Sequence, residues 1–350
     1  MLRSPLRTVS NRIVATRLQW AAGCLLALLA VAVAGLRLPT AALAQQSTEG
    51  VASNATHSAN LSSLVELTPE GSVFGLLIRP AEIFSRDSFK PLAKQINMVA
   101  PPLESTGVGV EDFAAVMVAG SPDRGQPRIV LCLTTPEACE RLSAAWVKQT
   151  SMNAVDDAPS PTWRDASEQL TRYDPWTLVI DHFATTQSGS LPSLKNQPPR
   201  WANAWEERSD RQVLAALDNA KLQASMPETA REQLAGGMPI QMVAPLLDEV
   251  EAVVAGVRLD DDLLLEVSAK TNDEPAARQV ASTVKALMTL VGNALKQQTV
   301  ALNDVPPEAR VQLQELFGLT NDFLAQSQVE VDGDKVELSY RGENKGAESA

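Results

Sequence analysis

The sequence predicts an α+β protein of two similar modules, each an antiparallel sheet covered by helices on one face. Three observations carry this prediction. One order of elements runs twice along the chain: a short apolar strand, a helix, a tight pair of strands, then a helix opened by a proline and an acidic residue. Residues 111–120 (EDFAAVMVAG) and 248–257 (DEVEAVVAGV) are the best-matched segments of the two passes. Finally, 350 residues that are 45% apolar suffice for two ordinary domains, and with aromatics at only 4% the cores must be built from Ala, Val and Leu.

Residues 1–44 carry an address. Arg3, Arg7, Arg12 and Arg17 form a basic leader, residues 18–36 (LQWAAGCLLALLAVAVAGL) are uncharged, and Ala42-Leu43-Ala44 supplies a small-residue cleavage site. These are the parts of a secretory signal peptide cut after Ala44. The uncharged run also reaches the lower length limit for a spanning helix, so the second reading is an uncleaved inner-membrane anchor. Cys24 lies too early in the apolar run for a lipoprotein cysteine. Both readings place the folded part outside the cytoplasm, in the periplasm or beyond. Residues 45–63 read as a flexible lead-in.

The first module is expected at 64–183. A strand at 73–78 (VFGLLI) precedes Pro80 and a helical stretch to about residue 99. Strands follow at 113–118 and 128–133. A helix then starts at Thr135-Pro136-Glu137, with Thr suited to the N-cap and Pro to the first helical position. Cys139, Leu142 and Trp146 share one face of it. Residues 151–168 read as a surface loop and 176–180 (WTLVI) as a further strand. Residues 184–211 connect the modules.

The second module is expected at 212–341. It begins with a strand at 213–217 and helical segments over 227–247. Strands at 250–257 and 263–267 flank the turn Asp260-Asp261-Asp262. The next helix starts near Asn272-Asp273-Glu274-Pro275 and carries an apolar stripe of Val280, Val284, Leu287, Val291 and Leu295. A helix after Pro306-Pro307 leads to two alternating runs around Asp332-Gly333, a strong hairpin signal. Residues 342–350 read as a disordered tail.

A leader of this kind, an opener such as Leu67-Thr68-Pro69-Glu70-Gly71 and repeated α+β modules together resemble the uncharacterised exported proteins of planctomycete-type bacteria. The resemblance spans roughly residues 64–341. It implies an exported protein and no particular activity.

Composition excludes several chemistries. The net charge is −12, and removal of the five arginines of residues 1–44 takes it to −17, against the basic footprint that nucleic acid requires. There are two histidines and three cysteines, without C-x-x-C, H-E-x-x-H, P-loop or G-x-S-x-G. Gly71-Ser72-Val73-Phe74-Gly75 has its serine one place early. Gly107-Val108-Gly109 has no third glycine, and the Asp260–262 turn lacks the ligand spacing of a calcium loop. His57 lies in the lead-in. That leaves His182, whose neighbour Asp181 points to the opposite face of a strand and is a poor orienting partner. No catalytic, cofactor-binding or metal-ligating residue is assigned, and no cofactor is expected.

Two features remain. Trp163, Trp176, Trp201 and Trp205 gather within residues 163–205 and form a candidate binding surface. Cys132 and Cys139 could form a disulfide in an oxidising compartment if both face the same layer; otherwise they are two buried free thiols. Met238 and Met242 read as core filling. The function expected is an exported, non-enzymatic binding or scaffold protein with a protein or small-molecule partner, touching membrane only through an uncleaved leader. The alternative is a carboxylate-dependent, glycosidase-like hydrolase with its site near the Trp-rich region.

Overall fold

The structure is a computed structural model that describes residues 61–86, 89, 106–121, 127–156, 158–182, 198–225, 246, 248–259, 262–301, 317–318 and 320–343. The leader, His57, Met238 and Met242, the turn aspartates 260–261 and the tail from residue 344 lie outside these residues, as does most of the helical stretch expected over 227–247.

The first half runs α1 (Leu61–Glu66), β1 (Phe74–Ile78), α2 (Pro80–Phe84), β2 (Phe113–Gly120), β3 (Arg128–Leu133) and α3 (Pro136–Thr150). Four strands follow: β4 (Asn153–Ala154), β5 (Thr162–Arg164), β6 (Glu168–Arg172) and β7 (Thr177–His182). The second half runs α4 (Ala202–Glu206), β8 (Val213–Asp218), α5 (Asn219–Ser225), β9 (Val250–Leu259), β10 (Asp262–Thr271), α6 (Glu274–Ala301), β11 (Gln328–Asp332) and β12 (Lys335–Glu343). Residues 151–168, expected as a loop, carry β4 and β5. Their Asp, Ser and Pro content hides a short alternation in which Thr162 is buried and Trp163 pairs with Leu170. Among the described residues, no helix is long and apolar enough to cross a membrane.

The protein is α+β, and its strands form one twelve-stranded sheet in the order β11-β12-β10-β9-β8-β1-β2-β3-β7-β6-β5-β4. Every strand pairing in it is antiparallel. The sheets of the two halves are thus joined edge to edge, through β1 and β8. Outward from that seam the order reads first, second and third strands, then the last and next-to-last, in both directions, with β5 and β4 added at the far edge of the first half. The seam is itself balanced. Leu76 faces Ala215 at its centre, Arg79 N–H donates to the Gln212 carbonyl at 2.9 Å, and Asp218 N–H donates to the Val73 carbonyl at 2.6 Å.

Helices lie on both faces, not on one. Alternation along β3 shows this directly: Val130 and Cys132 belong to one core with Trp201 and Trp205, whereas Leu131 and Leu133 belong to another with Cys139 and Leu142 of α3. On the long-helix face α3 covers the first half and α6 the second, where Ala277, Val280 and Ala281 meet Val336. Periodicity along a helix reports that one side is apolar, but not which face of a sheet receives it. On the opposite face, α1 and α4 cover the centre of the sheet. The row Val179, Val130, Met117, Leu77, Leu214 crosses five adjacent strands there, and four of its members are fully buried. Burying a side chain of this size contributes about 1.5–3 kcal/mol. Both faces carry apolar core across the seam. Leu77 and Leu214 share one cluster, and Ile78 and Val213 pack against another with Ile83 and Leu259.

Candidate functional site

Of the four tryptophans, two come together. Trp201, at the N-cap of α4, and Trp205, near its end, pack against each other with ring centroids 5.1 Å apart and planes tilted by 44°, and both are buried. Gly75 of β1 lies beneath them: a Cβ there would stand 3.0 Å from Trp201 Cη2. The pair is a lid on the central core. Trp163 is half-buried against the α3 core and Trp176 is half-buried in the β6–β7 turn, so the four rings do not form one surface.

Cys132 and Cys139 are both free thiols. Cys132 points to the Trp face, where its sulfur lies 3.8 Å from Thr177 Oγ1, and Cys139 sits in the α3 core on the other side of the sheet. The disulfide therefore does not form. Burial pushes the Cys132 thiol up to about 12 and the Cys139 thiol up to about 11, so neither is a nucleophile near neutral pH.

His182 has a carboxylate that sequence neighbours did not reveal. It faces Glu168 across β6–β7, with Nε2 and Oε1 2.8 Å apart. Asp181, on the opposite face, binds Arg128 instead, at 2.6 Å and 3.3 Å. Arg128 also donates to the Leu67 carbonyl at 2.9 Å, tying α1 to the sheet. Arg211 likewise reaches Glu266 at 2.7 Å, passing over Gly256, and Arg208 reaches Glu337 at 2.6 Å. These buried arginines hold the segments that precede β1 and β8 onto the Trp face. Among the described residues, no three His, Cys, Asp or Glu side chains group closely enough to hold a metal ion.

A cavity of about 260 Å³ opens where α5 meets the start of β9 and the end of β10. Its polar lining is Arg200, Gln223, Asp248, Glu251 and Asn272; Val250 and two alanines of α5 supply the apolar part. Glu251 sits between two cations at long range, Arg200 Nη1 at 3.8 Å and Lys270 Nζ at 3.7 Å. Asn272 is placed by the cap of α6 and donates from Nδ2 to Glu249 at 3.3 Å. Asn219 anchors α5 to the strand by donating to the Val250 carbonyl at 2.7 Å. No tryptophan lines this cavity. Sequence reasoning missed it because its parts come from four separate segments, each an ordinary surface stretch on its own.

No family model matches the chain, and no curated protein matches it. Solved structures give a distant likeness. Crystal form III of TP0453 aligns with a TM-score of 0.42 at 11% identity, covering 79% of this chain and 92% of that one. Crystal form I gives 0.37 at 12%, covering 80% and 93%, and crystal form IV gives 0.36 at 11%, covering 79% and 91%.

Proposed function

We propose that the chain is an exported, non-enzymatic binding protein made of two duplicated α+β modules, at residues 64–183 and 212–341. The observation that carries the binding reading is the polar cavity beside α5: a concave place with charges of both signs, held open by a helix cap and by the Asn219 anchor. The reactive side chains most useful for catalysis are occupied elsewhere. Both thiols are buried and held protonated, and His182 is engaged by Glu168 across the strands. A negatively charged surface at −17 after leader removal suits a soluble exported protein.

The duplication is supported by the matched order of strands on either side of the seam and by matched details within it. The residue before each long-helix cap donates its backbone N–H to the same place: Thr134 to the Asp112 carbonyl at 2.8 Å, and Asn272 to the Glu249 carbonyl at 3.2 Å. The burial patterns of β2 and β9 begin with the same alternation. Export is tested by fractionating cells that make the full chain and sequencing the recovered N-terminus. The expected product lies outside the cytoplasm and starts at Gln45. A protein retained in the cytoplasm would overturn the reading, and one that keeps Met1 in the membrane fraction would replace the secreted form with an anchored one.

A further inference from the structure

One edge of the sheet is finished and the other is open. In the first half β6 takes β5 and then β4 on its outer side, and β4 is only two residues long, too short to template another strand. In the second half the strand at the matching position is β11, and among the described residues no strand lies beyond it. It has five residues, no proline, no lysine and an unbroken register with β12, so it lacks the devices that usually blunt an edge. All of its residues but Val329 are exposed. Asp332 and Lys335 close the turn at Gly333-Asp334 as a hydrogen-bonded pair, and the pairs alternate from there. The backbone N–H and C=O of Val329 and Val331 therefore point away from β12, to the open side.

The side chains of β11 define what would pair there. Val329 packs against the α6 core, and Val331, on the same face, is 38% exposed; Glu330 and Asp332 lie on the opposite face. The charges beside them are occupied. Glu337, opposite Glu330, takes Arg208 at 2.6 Å, and Lys335, opposite Asp332, reaches Glu207 at 3.5 Å. Among the described residues, Glu330 and Asp332 make no ion pair. The first half shows a strand chemistry that suits such an edge: β5 lays Trp163 on the long-helix face and Arg164 on the other. A second β11 suits it poorly, because the register of greatest overlap would set two Glu330 carboxylates opposite each other. We infer that β11 accepts an extended peptide as a further antiparallel strand, with basic residues opposite Glu330 and Asp332 alternating with apolar residues opposite Val329 and Val331. The argument uses the strand order alone and rests neither on the duplication nor on the cavity beside α5.

The test is calorimetric titration of the purified chain, as recovered from cells, with the end-capped peptide Val-Lys-Val-Lys-Val-Lys at about 0.15 M salt. Binding tighter than about 1 mM is expected. N-methylation of the peptide's valines, whose amides would meet Val329 and Val331, should abolish it, whereas N-methylation of its lysines should not. Glu330→Lys, at an exposed position, should weaken binding at least about fivefold. Val331→Pro removes an N–H that β12 does not use, so the variant should fold and lose binding. No binding in this range would overturn the inference. So would equal binding of the valine-methylated peptide, or of one with its valines and lysines in separate blocks, since attraction to the net negative charge of the chain would then suffice. A dimer in sedimentation that Val331→Pro dissociates would also overturn it, because the edge would then belong to a second copy of the chain.

Discussion

Thr135 and Asp273 cap the two long helices in the same way. Thr135 Oγ1 accepts from the Ala138 N–H at 3.1 Å, and Asp273 Oδ1 accepts from the Ala276 N–H at 2.8 Å. Each satisfies one of the amide groups that a helix start leaves without a partner. Because each cap also follows directly on the strand that its helix covers, it fixes where the helix leaves the sheet. Thr135→Ala and Asp273→Ala should each cost about 1 kcal/mol, read as a lower urea midpoint with unchanged slope. In the double variant the losses should add, since the caps share no partner.

Gly75 permits the approach of the Trp201 ring at the seam. Gly75→Val should force the Trp201–Trp205 pair off the sheet and destabilise by roughly 1–3 kcal/mol. The shift of tryptophan fluorescence toward that of exposed rings would accompany it. A variant with native stability and native emission would mean that the ring does not lie on β1.

The Arg128–Asp181 pair is buried on the arginine side, at 4% side-chain exposure against 13% for the carboxylate. Asp181→Ala leaves the guanidinium without its counter-charge and should cost about 3–5 kcal/mol. Replacing both residues with apolar side chains of similar volume should restore most of that loss. Equilibrium unfolding of the two variants checks the contrast.

The buried thiols give a pH signature. The folded state keeps thiol protons that the unfolded chain releases near pH 9, so stability falls as pH rises from about 9 toward 11. The loss approaches at most about 1.4 kcal/mol per pH unit for each thiol. A Cys132→Ala, Cys139→Ala variant, weaker at neutral pH because of the cavities it creates, should show a flatter alkaline limb. Thiol titration of the denatured, unreduced protein should find both sulfurs free.

Much of the fold is legible in the sequence wherever the signal is local. Alternation and turn residues mark β1–β3, β7, β8–β10 and the Asp332-Gly333 hairpin, where Gly333 takes φ +58°. The cap at Thr135 and the start of α6 near Asp273-Glu274-Pro275 are legible for the same reason. What is not legible is set by distant pairing. Nothing local in VFGLLI or VLAAL says that these strands meet each other, so two sheets were expected where one continuous sheet stands. Likewise, the opposite facing of Cys132 and Cys139 follows from the sheet face that α3 covers, which the helix stripe alone does not specify. Trp201 and Trp205 look like surface aromatics in a polar stretch until Gly75 and the small side chains beside it provide their seat. Glu168 becomes the partner of His182 only through the register of β6 and β7.

The central claim is that the two halves form one body closed along β1 and β8. Native-state hydrogen exchange tests it most directly. The amides of β1 and β8 lie in the middle of the sheet under core on both faces, so they should exchange only through global unfolding, together with those of β3 and β10. Seam amides that exchange at a clearly lower free energy than β3 and β10 would mean that the halves part before they unfold, and would contradict the account.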